Sequence, residues 1–414
     1  MALILSDHGL PVPSSFASQR HPRRPLPPGY PPAVEEIWQY ADRARTQLGS
    51  AGAPVISYTG LWLLLTLVAP VAEGRAVTEA LGLPPEEARE TAEKLIAEPH
   101  PTVAAALGAW LADWVEPTTP LPVAVEPLPD QETLDAWAAE HTRGLIQTMP
   151  VTVRPETMLL LATALVTTPQ WTEPLKIEDG GLVLQKGLQA IVETSVGPVA
   201  VARPASRDGV DVFSVIAAPD VPAEDVWVAV AEVVEQHAAG EVTHMTHPEG
   251  LTDGHAWTVR RERRKYVAHD VPEPNSVVFT TTLPAWNADA SHELEAAPGV
   301  ASVANGIAAL LPEQDGGIEF SCVQNATAAY DQNGFKAAAV TAMAWMAGSA
   351  MPEYVERKIR HVQVSFDRPH AVIAIARGGA WDGVPLFEAW VTPEMFTTAV
   401  PDWALGMPIA VPTT

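Results

Sequence analysis

Helical periodicity fills roughly the first 150 residues of this chain, and strand-like alternation dominates the rest. Segregation of that kind implies an α+β architecture. It argues against a parallel sheet built from alternating βα units. Residues 33–48 carry Ile37, Ala41, Ala44 and Leu48 at helical spacing. Glu35 and Glu36 lie early there and Arg43 and Arg45 late, as the helix dipole favours. Residues 60–69, 75–81, 85–96, 102–115 and 133–143 read as further helices, the last capped by Gly144. Residues 182–202, 210–217, 277–283, 318–330, 362–366, 371–376 and 386–391 read as strands, with a helix at 226–237 among them.

Composition narrows the function classes. The chain has 414 residues, 47% of them hydrophobic, enough for a large core. A net charge of −25 argues against nucleic acid and anionic membrane as partners. The basic run Arg260-Arg261-Glu262-Arg263-Arg264-Lys265 is the local exception, and it reads as a solvated strand or turn. The single cysteine, Cys322, allows no internal disulfide and reads as a buried structural thiol. No secretory signal precedes Asp7, which implies a cytoplasmic protein, with an extracellular one as the alternative. Residues 1–32 are expected to form a disordered extension, and 33–414 a single domain. The apolar run 61–72, broken by Pro70, is too short to span a bilayer. Nucleophile-elbow, phosphate-loop and zinc motifs are absent from the sequence. His237, His244, His247 and His255 read as a polar loop cluster rather than metal ligands. The expectation is a protein that is not an enzyme and needs neither metal nor cofactor.

Residues 329–346 pass from a polar turn at Asn333-Gly334 into a run of small residues. Read alone, 335–347 suits a helix, with six alanines and Gly348 as its cap. It also suits a segment that slips into a β-sheet as an extra strand.

Six segments then follow a recognisable order. Leu134-Asp135-Ala136-Trp137 precedes Thr142-Arg143-Gly144-Leu145-Ile146. Residues 159–165 lead into Trp171-Thr172-Glu173-Pro174-Leu175. Leu283-Pro284-Ala285-Trp286, the stretch 332–343, Gln363-Val364-Ser365-Phe366-Asp367-Arg368-Pro369-His370 and Pro385-Leu386-Phe387-Glu388-Ala389-Trp390-Val391-Thr392-Pro393 complete the series. Across about residues 33–396 the order resembles that of the serpin family. The resemblance implies three β-sheets, eight or nine helices and an exposed reactive-centre loop. It also implies a monomer whose partner is a target protease. In inhibitory serpins a serine or cysteine protease cleaves the loop and becomes acylated, and the loop then inserts into the main sheet. A serpin-fold binding or scaffold protein without inhibitory activity is the alternative.

On that resemblance Gly334 is the hinge glycine. In an inserted strand Phe335, Ala337, Ala339 and Thr341 point inward, while Lys336, Ala338 and Val340 point to solvent. Phe335 is larger than the family's Thr or Ser. An oversized side chain costs about 1–3 kcal/mol, which slows a first step by about 10²-fold. Family spacing puts the scissile bond between Gly348 and Ser349. The loop is longer than usual, so Trp345, Met346, Met351, Lys358 and Arg360 are alternative bait residues. Where the main sheet opens, the resemblance points to Ser57, Thr163, Trp171 and Gln324. Of these, Thr163 replaces the family's Asn and Gln324 its buried His.

Overall fold

Strands from both ends of the chain meet in an eight-stranded main sheet of this computed structural model, and two five-stranded sheets complete the β structure. The structure describes residues 1–7, 30–31, 33–71, 75–98, 100–243, 245–267, 273, 275–312, 318–336 and 354–398.

The main sheet uses β1 (Ala2–Asp7), β2 (Val103–Leu111), β3 (Glu126–Pro127), β4 (Thr157–Thr167), β12 (Ala285–Glu293), β13 (Ile318–Tyr330), β14 (Phe335–Lys336) and β18 (Phe396–Thr397). Its order is β18-β12-β13-β1-β4-β2-β3, with β14 also paired to β13. A second sheet runs in the order β10 (Trp257–Val267), β15 (Tyr354–Ser365), β11 (Val277–Leu283), β6 (Gly181–Val183), β5 (Lys176–Glu178). The third runs β17 (Pro385–Val391), β16 (His370–Ala376), β9 (Val210–Ile216), β8 (Gly197–Pro204), β7 (Gly187–Thr194).

Seven α-helices lie among the described residues, against the eight or nine implied by the resemblance. They are α1 (Val34–Leu48), α2 (Tyr58–Val68), α3 (Arg75–Leu81), α4 (Pro85–Ala97), α5 (Gln131–His141), α6 (Ala223–Ala238) and α7 (Val300–Ala308). Helix α2 is apolar all round, and every residue in it is buried. Such a helix needs cover on all sides; it packs against α1, α4, β4 and β17. Helix α1 is tied to the third sheet by Arg45, whose guanidinium bonds the Glu388 carboxylate at 2.7 and 3.0 Å. Burial disfavours the Arg45 charge, but Glu388 and Asp42 outweigh burial and raise its pKa.

Two expectations fail in instructive ways. Residues 102–115, whose alanines favour a helix, contain strand β2. Nine consecutive rungs to β4 decide the matter, because tertiary pairing overrides local propensity. Within β2 the Trp110 ring lies across Gly108, where a Cβ would sit 2.1 Å from it. Residues 1–32 were expected to form a disordered extension, yet Ala2–Asp7 is a strand at the centre of the main sheet, while residues 8–29 and 32 lie outside the described residues. The Ala2 and Leu3 side chains are buried there, one facing α5 and the other the main core. A sheet strand needs only a few apolar residues if both its edges are paired.

Candidate functional site

Antiparallel β14 and the turn before it stand at one end of a gap between β4 and β13. Asp331 builds that turn: its carboxylate accepts from the N–H groups of Asn333 and Gly334 at 2.6 and 3.1 Å. Its own N–H donates to the Gly334 carbonyl at 3.0 Å. The turn is clamped to the segment beyond β4. The N–H groups of Trp171, Leu175 and Phe335 donate to the carbonyls of Asn333, Gln332 and Pro169, respectively. The Trp171 indole N–H donates to the Asp331 carbonyl at 3.0 Å, and its ring packs against Tyr330. Trp171 thus lies at the end of the main sheet, packed against the turn at 331–334.

Gly334 approaches the neighbouring chain too closely for any side chain. A Cβ there would lie 2.4 Å from the Pro169 carbonyl oxygen. That contact is with backbone, which cannot swing away. Phe335 follows as the first rung, opposite Tyr330, and Lys336 as the second, opposite Ala329. The Phe335 side chain is buried edge-on to Trp286, with ring centroids 6.1 Å apart. Ala337, Ala338, Ala339, Val340 and Thr341 lie outside the described residues, as do Gly348, Ser349, Trp345, Met346 and Met351.

Ser57, Thr163 and Gln324 meet at the N-terminus of α2. Ser57 caps the helix, its hydroxyl accepting from the Gly60 N–H at 3.1 Å and donating to the Leu386 carbonyl. The Gln324 amide grips the Ser57 backbone twice. Its oxygen accepts from the Ser57 N–H at 2.8 Å and its nitrogen donates to the Ser57 carbonyl at 2.9 Å. The Thr163 hydroxyl donates to the Gly60 carbonyl at 3.0 Å. One strand on each side of the gap is therefore latched to the same helix end, β13 through Gln324 and β4 through Thr163.

Between these latches and Phe335 the gap is open. Two shallow clefts open to the surface share the walls Leu165, Asn325, Ala326 and Phe387, with Thr142 and Ile146 on the α5 side. Small residues line its strands, Ala162, Thr163 and Ala164 from β4 and Ala326 and Thr327 from β13. Below the latches the gap is closed by β1, antiparallel to both neighbours. The backbone of Met1 exchanges two hydrogen bonds with Thr163, at 2.9 and 3.0 Å.

Lys358 and Arg360, alternative baits on the sequence, lie within β15 and pair with Arg263 and Arg261 of β10. They are ladder residues rather than part of a free loop. The basic run of β10 forms an edge strand, largely exposed, as its charge requires. Cys322 is fully buried in β13; burial first, then the nearby Glu295, pushes its thiol up to about 12. Among the described residues no cluster of His, Cys, Asp or Glu could hold a metal. His237 instead contacts the Val242 carbonyl, and His255 the Arg368 guanidinium. Among the described residues no helix is long and apolar enough to cross a membrane.

No family model and no curated protein sequence matches the chain. Its fold, however, is that of the serpins. A highly specific serpin of the insect Tenebrio molitor superposes with a TM-score of 0.54 at 12% identity, covering 86% of this chain and 96% of the other. Tengpin, a thermophilic serpin in its native state, gives 0.55 at 12% identity, with 91% and 97% covered. Thyroxine-binding globulin, in complex with thyroxine, gives 0.52 at 12% identity, with 86% and 97% covered.

Proposed function

We propose that the chain is a serpin-type inhibitor of serine or cysteine endopeptidases that works by a single conformational trap. Cleavage in residues 337–353 frees the segment after Lys336 to continue β14 down the gap. The observation that carries this reading is the state of the hinge. Phe335 and Lys336 are already rungs on β13, and among the described residues no strand pairs with residues 325–328 on the same edge of β13, where Ala164, Ala326 and Thr327 are among the cleft's lining residues. Filling the four rungs of β13 at residues 325–328, each worth about 0.5–1.5 kcal/mol net, gives a driving force of roughly 2–6 kcal/mol. An acyl-linked protease on the cut end would be carried along with the strand.

One observation favours a second reading, a non-inhibitory binding or scaffold protein on the same fold: part of the gap is already filled by β1. The two readings separate in one experiment. The intact protein is incubated with a panel of serine and cysteine proteases, including enzymes that cut after small residues. An inhibitor yields an SDS-stable adduct and lost protease activity. Clean cleavage by every enzyme, with activity retained, supports the second reading and contradicts the first.

A further inference from the structure

We propose that strand Ala2–Asp7 is a built-in competitor for the slot that the reactive loop would enter, so that loop insertion beyond four residues requires its expulsion. This rests on the insertion reading above. The register makes the competition explicit. Lys336 faces Ala329. Continued in the same antiparallel register, Ala337 would face Ala328 and Val340 would face Asn325, all free rungs of β13. Thr341 would then face Gln324, and Ala342 would face Val323, which is already paired with Ala2. The other wall gives the same answer independently. Gly334 faces Gln170, so Thr341 would face Thr163 and Ala342 would face Ala162. Met1 already holds Thr163 and Ala2 already pairs with Ala162.

The two strands also agree in direction and facing. β1 is antiparallel to both β4 and β13, as a continuing loop would be. Leu3 points into the main core and Ala2 toward α5. By the two-residue period, Met343 and Ala342 would take those orientations. β1 therefore fills its part of the sheet with the hydrogen bonds and side chains that insertion would otherwise supply. The consequence is insertion in two stages. Residues 337–340 fill the open clefts first, and the rest exchange rung by rung with β1.

The chain supplies its own crosslink to test this. Leu3 lies directly opposite Cys322, and cross-strand neighbours are within disulfide reach. Leu3→Cys should oxidise with Cys322 in the intact protein, read as loss of free thiol. The oxidised, reduced, wild-type and Leu3→Asp proteins are each nicked in residues 337–353 and heated. Reduced, wild-type and Leu3→Asp forms should rise in Tm by on the order of 10 °C on nicking. Hydrogen exchange of peptide 1–7 then separates the forms: on nicking it should lose protection in the reduced form and keep it in the oxidised form. Protection of that peptide retained in every nicked form that rises in Tm overturns the competition and leaves the insertion reading standing. Because the Cys322 thiol is buried, the oxidation is run during refolding, and failure of the crosslink to form there also overturns the competition. No rise in any form, Leu3→Asp included, overturns insertion itself, and the competition with it.

Discussion

Gln324 ties β13 to the start of α2 through a single side chain. Its amide satisfies both backbone groups of Ser57, and the contact is buried. Gln324→Ala leaves a donor and an acceptor in the interior without partners. Each unmet group costs about 1–3 kcal/mol, so the variant should lose about 2–6 kcal/mol in urea unfolding. Gln324→His restores one of the two contacts and should lose less. Phe335 invites the opposite reasoning from that applied to the sequence alone. A large hinge residue predicts a slow first step, yet in the structure that rung is already formed and its ring rests against Trp286. Phe335→Ala should therefore cost the intact protein about 3–5 kcal/mol, as buried phenylalanines do. It should not speed insertion after cleavage, as stopped-flow fluorescence of the neighbouring Trp286 would record.

Among the elements, β16 carries a pH dependence. His370 at its start is fully buried between Phe366 and Phe396, with Nδ1 against the Arg368 carbonyl. Burial pushes its pKa down to about 4. Unfolded, it titrates near 6.5, so only the unfolded chain takes up a proton between those values. Stability is unaffected above about pH 6.5 and falls as pH drops toward about 4, by up to roughly 3 kcal/mol. Urea unfolding at pH 7 and 4.5 should show wild type losing more than His370→Asn by about that amount. The elements also show what was legible in the sequence. The strand Ile318–Tyr330 and the α1 dipole pattern could be read from periodicity and charge, whereas Ser57, Thr163 and Gln324 were singled out only by the family resemblance, and their meeting at the start of α2 appears only in the structure. β2 could not be read, because an alanine-rich strand differs from a helix only through its partner. β1 could not either. The run Ala2–Leu5 is visible as apolar, but nothing local says that a vacancy between two distant strands will receive it.

At the scale of the whole molecule, the gap joins three distant parts of the chain: the N-terminal strand, the hinge turn and the latches on α2. The serpin fold supplies the slot, and the register says how much of it is open. The central claim is that the segment beyond Lys336 becomes a strand between β4 and β13. Hydrogen exchange followed by mass spectrometry on intact and nicked protein tests it most directly. Peptides covering residues 163–167 and 324–328, which face open clefts in the intact protein, should exchange markedly more slowly once the loop is cut. Unchanged exchange in both peptides after complete nicking would contradict the account.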